Sequence, residues 1–123
     1  MPKKVIVVED EPLLLKALNL VLLDAGFDTV TATDGEMGLR LVQKFQPDIV
    51  LLDLVLPKMH GFEVLKSLKK IEETRQIPVI ILSNLSQKEE CLQGLDLGAE
   101  DYFIKSNTDL SEVVKKIKSV LGI

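Results

Sequence analysis

Short runs of apolar or β-branched residues recur along the chain, and polar residues follow most of them. The clearest run is residues 49–52, Ile-Val-Leu-Leu, which ends at Asp53. Because four consecutive apolar side chains leave no polar face, this run predicts a central strand buried on both sides. Further strands are predicted at residues 5–8, 29–32, 77–82 and 101–104. The β-branched segment 29–32 is expected nearer an edge of the sheet.

Apolar residues at helical spacing separate the predicted strands. Pro12 suits the first turn of the first helix, and Gly26 is expected as its C-cap. Start signals for later helices are Thr33-Asp34-Gly35, Gly61, and the capping boxes Ser86 with Glu89 and Asp109 with Glu112. The strict alternation of five strands with five helices predicts an α/β fold, a five-stranded parallel sheet with helices on both faces.

Size and composition narrow the class of protein. The 123 residues, 46% of them hydrophobic, predict one domain over residues 1–123 with a sizeable core. A net charge of −4 argues against a nucleic-acid-binding surface. The single cysteine, Cys91, excludes an internal disulfide and fits a reducing compartment. The apolar residues 13–23 fall short of the roughly 20 that a membrane span needs, so we expect a soluble, cytoplasmic protein.

Four of the five predicted strands end in residues that can make ionic or hydrogen-bonding contacts. They are Glu9-Asp10, Asp53, Ser83 and Lys105. In open α/β sheets, ligands bind beyond the carboxyl ends of the strands. Carboxylates that meet there repel one another unless a cation neutralises them, and carboxylate oxygens suit Mg²⁺. A carboxylate beside such an ion can act as a nucleophile towards a phosphoryl group and form an aspartyl phosphate.

These residues, in this order and spacing, resemble the receiver domains of two-component response regulators. The matching features are Glu9-Asp10, Asp53 with Pro57 and Gly61 four and eight positions on, Ser83, the run 98–102, and Lys105. The resemblance extends from Val5 to Leu121 and is to the single-domain, chemotaxis-regulator-like type. It implies the flavodoxin-like strand order 2-1-3-4-5.

The resemblance implies a role for each residue of the acidic site. Asp53 would be the phosphoacceptor, and Asp10, Asp53 and Glu9 would hold Mg²⁺ with the backbone carbonyl of Val55. Lys105 would pair with the acceptor carboxylate and then with a phosphate oxygen. The domain would thus catalyse its own aspartyl phosphorylation and dephosphorylation without being a turnover enzyme.

The resemblance also implies a switch and partners. Ser83 would be drawn to the phosphate and Tyr102 would turn inward, so that the face made by the fourth helix, fifth strand and fifth helix changes shape. Tyr102 could also be a simple edge-strand aromatic. A histidine kinase or phosphotransfer protein would donate the phosphoryl group. The downstream partner is an unnamed protein, reached by contact, with no nucleic acid bound through this domain and no membrane.

The sequence departs from the family pattern at Ser106, Val55 and Leu85, among other positions. Lys105 is followed by Ser106 where the family usually has proline with a cis bond, and because a non-proline cis bond costs about 3 kcal/mol, we predict a trans bond. Val55 and Leu85 are apolar where some relatives are polar, which suggests slow loss of the phosphoryl group.

A similar sheet can carry other functions. A receiver-like interaction domain that does not use phosphate is the main alternative. A phosphatase of the haloacid dehalogenase type would need a second aspartate where Val55 stands. A flavodoxin would need a hydroxyl- and glycine-rich loop in place of residues 9–12, whose acids repel phosphate.

The first predicted helix carries leucines outside its core stripe. Leu13, Leu20 and Leu23 form a second stripe. Scattered surface leucines explain it equally well. The alternative hypothesis is a docking patch for the phosphodonor protein, or for a second copy of the chain in a weak homodimer.

Overall fold

The structure, a computed structural model, describes residues 2–123. Its strands are β1 (Lys4–Val8), β2 (Asp28–Ala32), β3 (Ile49–Leu52), β4 (Val79–Ser83) and β5 (Asp101–Ile104). Its helices are α1 (Pro12–Asp24), α2 (Gly35–Phe45), α3 (Gly61–Lys70), α4 (Lys88–Asp96) and α5 (Leu110–Leu121), and a short 3₁₀ turn, Lys105–Asn107, follows β5. All paired strands are parallel, in the order β2-β1-β3-β4-β5. The predicted fold class and strand order are confirmed, with β2 at an edge.

Two apolar layers cover the faces of the sheet. Helices α1 and α5 pack on one face, where Leu18, Leu22 and Ile117 lie against side chains such as Leu51 and Ile80. Helices α2 and α3 cover the other face against the alternate residues of the same strands. Apart from Lys4, the residues of β1, β3 and β4 are almost fully buried because both of their faces are covered. None of the helices within residues 2–123 has the length and apolar character that a bilayer crossing needs.

Some element boundaries differ from the predicted ones. Strand β4 begins at Val79 rather than at residue 77, because Pro78 has no N–H to donate to the ladder. The carbonyl of Pro78 still accepts a hydrogen bond from the Val50 N–H at 3.0 Å. Helix α1 ends at the cap residue Ala25, and Gly26 follows it with a φ of 93°.

The predicted helix caps had mixed outcomes. The side chain of Asp34 caps α2 as expected, accepting a hydrogen bond from the Met37 N–H at 2.7 Å. The cap of α4 is Gln87 with Glu90, so the predicted pair Ser86 and Glu89 was wrong by one residue. Asp109 occupies the cap position of α5, but its side chain makes no capping hydrogen bond.

Candidate functional site

Parallel pairing brings the carboxyl ends of β1 and β3 side by side. Val8 pairs with Leu52, so the residues that follow them, Glu9 and Asp53, start at the same level. The Asp53 N–H donates to the Val8 carbonyl at 3.0 Å, which fixes the backbone where the acid emerges. Carboxylate oxygens of Glu9, Asp10 and Asp53 lie within 4.8 Å of one another. The three acids predicted to meet at the strand ends are therefore close enough to share one ion.

Lys105 reaches this cluster from the end of β5. Its Nζ lies 2.8 Å from Glu9 Oε1, 3.0 Å from Asp53 Oδ2 and 3.2 Å from Glu11 Oε2. Strand β4 lies between β5 and β3, so the long lysine side chain crosses the end of β4 to make these contacts. One ammonium thus serves three carboxylates, and the local charge remains negative.

The acids differ in their exposure to solvent. Glu9 is 2% exposed and Asp53 5% exposed, whereas Asp10 lies at the surface. Both oxygens of Asp53 are engaged, because Oδ1 accepts the Leu54 N–H at 2.7 Å and Oδ2 accepts from Lys105. A cavity of about 330 Å³ opens over these groups. It is lined by Asp10, Glu11, Asp53, Val55, Ser83, Asn84 and Lys105.

Burial and charge shift the acid–base properties of two groups. Burial raises the pKa of the Glu9 carboxyl above its ordinary value of 4.5, although hydrogen bonds from Lys105 and the Glu11 N–H partly oppose the shift. Burial alone would lower the pKa of Lys105, but hydrogen bonds to Glu9 and Asp53 outweigh it and raise that pKa. Lys105 is therefore a charged donor at neutral pH. The charged form of Glu9, in contrast, is destabilised by its burial.

The donor set fits a small, hard divalent cation. Three carboxylates converge, a surplus of negative charge remains beside Lys105, and Asp10 faces solvent on the open side. Mg²⁺ prefers this combination of one or two carboxylates, carbonyl oxygen and water. The residues present therefore fit the ion that the sequence implies.

Ser83 and Tyr102 meet at the loop between β4 and α4. The fully buried Ser83 Oγ accepts the Leu85 N–H at 3.3 Å, and the Tyr102 hydroxyl donates to the Leu85 carbonyl at 2.5 Å. The ring of Tyr102 packs on Gly94 of α4, where an added Cβ would lie 3.2 Å from it. Burial, with the nearby Cys91 and Glu90, raises the pKa of Tyr102 to about 12, so its hydroxyl remains a donor at neutral pH.

Two features of the neighbourhood were not anticipated from the sequence. Glu11 contacts Lys105, although nothing in its position in the acidic run indicates which way its side chain points. Helix α2 contacts the loop after Asp53 through the Gly35 N–H, which donates to the Pro57 carbonyl at 3.2 Å. The expected trans bond is present at Lys105–Ser106, since residues 2–123 contain no cis peptide bond.

The leucine stripe of α1 lies at the surface. Leu13 is 84% exposed, Leu20 57% and Leu23 49%. The stripe begins two residues after Glu11, at the end of α1 nearest the acidic cluster. The structure thus leaves these leucines available to a partner.

Nearly the whole chain is similar to known proteins. Residues 5–118 match the family model described as the response regulator receiver domain. The DNA-binding dual master transcriptional regulator RpaA of a Synechocystis strain is 37% identical over 118 residues, 96% of this chain and 48% of that protein. The chain spans about half the length of the curated relatives it matches.

Solved structures share the fold over nearly their entire length. The receiver domain of the Francisella response regulator 1452 has a TM-score of 0.90 at 29% identity, covering 98% of this chain and 97% of that one. The receiver domain of the sensor histidine kinase PA1611 from Pseudomonas aeruginosa has a TM-score of 0.90 at 22% identity, with both chains fully covered. That domain was crystallised with a magnesium ion in its active site cleft.

Proposed function

The chain belongs to the family of response regulator receiver domains of two-component systems, and we propose that it accepts a phosphoryl group on Asp53 from a histidine kinase or phosphotransfer protein. Residues 1–123 act in this proposal as one receiver domain. The observation that supports it best is the placement of Asp53. Its carboxylate lies at the floor of the cavity, 3.0 Å from the Lys105 ammonium and within reach of Glu9 and Asp10.

The residues divide the chemistry between them. An oxygen of Asp53 forms the bond to phosphorus while the bond to the donor nitrogen breaks. Asp10, Asp53 and Glu9, with the Val55 backbone carbonyl, would hold Mg²⁺. When bound, the ion supplies positive charge beside the transferring phosphoryl oxygens.

Lys105 and Ser83 stabilise the product. The Lys105 ammonium exchanges its hydrogen bond to Asp53 for one to a phosphoryl oxygen, and its raised pKa keeps it charged throughout. The Ser83 hydroxyl lines the same cavity and donates to another oxygen. Val55 and Leu85 offer no polar side chain to an attacking water, so the aspartyl phosphate is expected to be long-lived.

The switch acts through the loop after β4. Ser83 and Tyr102 are both hydrogen-bonded to Leu85, so a shift of Ser83 towards a phosphate changes the partner of the tyrosine hydroxyl. The changed surface is the face made by α4, β5 and α5, which a downstream protein would contact. A phosphate can bias this equilibrium only by interacting differently with the two states.

The leucine stripe on α1 is the docking patch in this proposal, for the phosphodonor protein or for a second copy of the chain as a weak homodimer. Its exposure and its position beside the acidic cluster support the hypothesis. Leu13→Ser with Leu20→Ser should slow phosphotransfer from the protein donor or abolish the dimer. An unchanged transfer rate together with an unchanged oligomeric state would contradict the docking hypothesis.

A phosphate-independent interaction domain is the second candidate, and it is disfavoured because the acids, Lys105 and Ser83 all line one cavity. We also propose a cytoplasmic location, which the free thiol of Cys91 fits.

Radiolabel transfer separates the two candidates. The purified chain is incubated with Mg²⁺ and a small ³²P-labelled acyl phosphate, and acid-stable label on the protein is counted. We expect label on the wild type and none on Asp53→Asn. The matched control is Asp48→Asn, the same change at the opposite end of β3, which should leave labelling unaltered. A wild type without label, or equal label on Asp53→Asn, would favour the phosphate-independent domain.

A further inference from the structure

The loop that follows Asp53 contains a strained turn. Lys58 has a φ of 69°, a conformation that non-glycine residues rarely adopt. The Met59 N–H donates to the Pro57 carbonyl at 2.7 Å, which closes a three-residue turn around Lys58. These are the features of a γ-turn with positive φ, which is rare and strained. Such a turn persists only where the surrounding structure holds it.

The N-terminus of α2 provides that support. The Gly35 N–H donates to the same Pro57 carbonyl at 3.2 Å. A Cβ placed on Gly35 would lie 2.1 Å from the Met59 carbonyl oxygen and 2.8 Å from the Met59 Cβ. The backbones of the helix and of the turn are therefore in direct contact, and only glycine permits this approach.

Asp34 adds a second link between the same two segments. Its Oδ1 caps α2 by accepting the Met37 N–H, and its Oδ2 lies 3.8 Å from the Lys58 Nζ. The carboxylate is nearly buried although Lys58 is mostly exposed. One side chain thus anchors the helix start and the residue at the apex of the turn.

A hydrogen bond also joins the two ends of the loop. The Gly61 N–H donates to the Leu54 carbonyl at 2.7 Å, and a Cβ on Gly61 would lie 2.3 Å from the Asp53 carbonyl oxygen. Val55 lies in this loop, directly after Leu54. In the proposed function, its backbone carbonyl is the uncharged ligand of the metal.

We propose that Gly35 and Asp34 are positioning residues for the metal site, acting through the turn at residues 57–59 to hold the Val55 carbonyl in place. This inference rests on the proposed function, in which Val55 is a ligand. A strained turn without its support relaxes into several conformations, and a ligand carried by a mobile loop binds more weakly than a preorganised one. Neither residue touches the reacting groups, so their effect falls on metal affinity and not on the transfer step itself.

The test compares Gly35→Ala with Gly26→Ala. Gly26 has a positive φ, which alanine rarely adopts, but a Cβ there meets nothing within 4 Å, and it lies at the far end of α1. Gly26→Ala therefore strains only its own backbone, whereas the Cβ of Gly35→Ala clashes with the turn at residues 57–59. Mg²⁺ affinity is measured by calorimetry, and labelling by the small acyl phosphate is followed over a range of Mg²⁺ concentrations.

We expect Gly35→Ala to raise the Kd for Mg²⁺ about tenfold, as loss of supporting contacts around metal ligands does elsewhere. Labelling should fall at low Mg²⁺ and recover towards the wild-type rate at saturation. Gly26→Ala should lower the melting temperature and leave the Kd unchanged. A Gly35→Ala protein that is less stable but has the wild-type Kd would overturn the inference.

A second pair of variants tests the same inference if Gly35→Ala does not fold. Asp34→Asn keeps the capping oxygen and removes the charge that faces Lys58. Glu36→Gln removes an equal charge from an exposed position in the first turn of α2. A raised Kd for Asp34→Asn alone supports the positioning role, and equal values for the two variants refute it. A wild type that neither binds Mg²⁺ nor accepts label would instead refute the proposed function.

Discussion

The bodies of the central strands and the residues that directly follow β1 and β3 are both buried but differ in chemistry. In the bodies, side chains such as Ile6, Val50 and Ile80 are fully buried among other apolar groups. Their removal from water stabilises the fold by about 25 cal/mol per Å² of apolar surface. Glu9 and Asp53, which directly follow the last residues of β1 and β3, are almost as deeply buried, yet both are acids.

The same parallel alignment therefore has opposite energetic effects at the two places. In the bodies it concentrates apolar surface, which folding favours. At the ends it concentrates carboxylates, and the raised pKa of Glu9 records the cost of burying one of them. Lys105 offsets part of this cost through its three contacts. In the proposed function, a cation bound at the strand ends would neutralise the charge that Lys105 leaves unbalanced.

The largest expected effect is the removal of Lys105. Lys105→Met leaves Glu9 and Asp53 buried without their cation, which should lower the free energy of unfolding by about 3–5 kcal/mol in metal-free buffer. Mg²⁺ should restore part of that loss because it supplies the missing positive charge. Ile80→Ala, in the strand body, should cost about 2–5 kcal/mol with no such rescue. Urea unfolding with and without Mg²⁺ measures both.

A surface lysine provides the control for Lys105. Lys116 lies 3.6 Å from Asp101 and both side chains are more than a third exposed. Lys116→Met should change stability by about 1 kcal/mol or less. Equal losses for the two lysine variants would contradict the distinction between the strand ends and the surface.

A smaller effect of opposite sign is expected at Asp53, the proposed acceptor. Asp53→Asn removes one acid from the cluster while Lys105 keeps Glu9 and Glu11 as partners. In metal-free buffer the variant should be more stable than the wild type by about 1 kcal/mol, whereas Mg²⁺ should raise the melting temperature of the wild type more. Thermal unfolding with and without Mg²⁺ measures this. A less stable variant would mean that the attraction between Asp53 and Lys105 outweighs the repulsion among the acids.

The smallest effect concerns pH. The raised pKa of Glu9 means that its stabilising contribution is complete below pH 4.5 and is lost as pH rises through the raised value. Mg²⁺ binding has the opposite dependence, because the proton on Glu9 must leave before the carboxylate can bind the ion. Calorimetry between pH 8 and pH 5 should show the Kd rising as pH falls. Glu9→Gln should flatten this dependence, and an unchanged pH profile would exclude Glu9 as the titrating ligand.

The fold was predictable because its signals are local. Four apolar residues before Asp53 predict a doubly covered strand wherever the chain goes afterwards, and the alternation with helices restricts the sheet to parallel pairing. The errors were local too. Strand β4 begins two residues later than predicted because Pro78 has no N–H to donate. The cap of α4 is one residue later than predicted because several polar side chains there can act as caps.

The candidate site was predictable as a set of residues but not as a set of contacts. Strand ends in a parallel sheet meet at one edge, so the acids and Lys105 could be assigned to that edge from the sequence. The three partners of Lys105, the hydrogen bond from Tyr102 to Leu85 and the contact of Gly35 with the turn at Lys58 were decided only by the folded chain. These depend on side-chain direction and on distances between segments far apart in sequence, which packing alone determines.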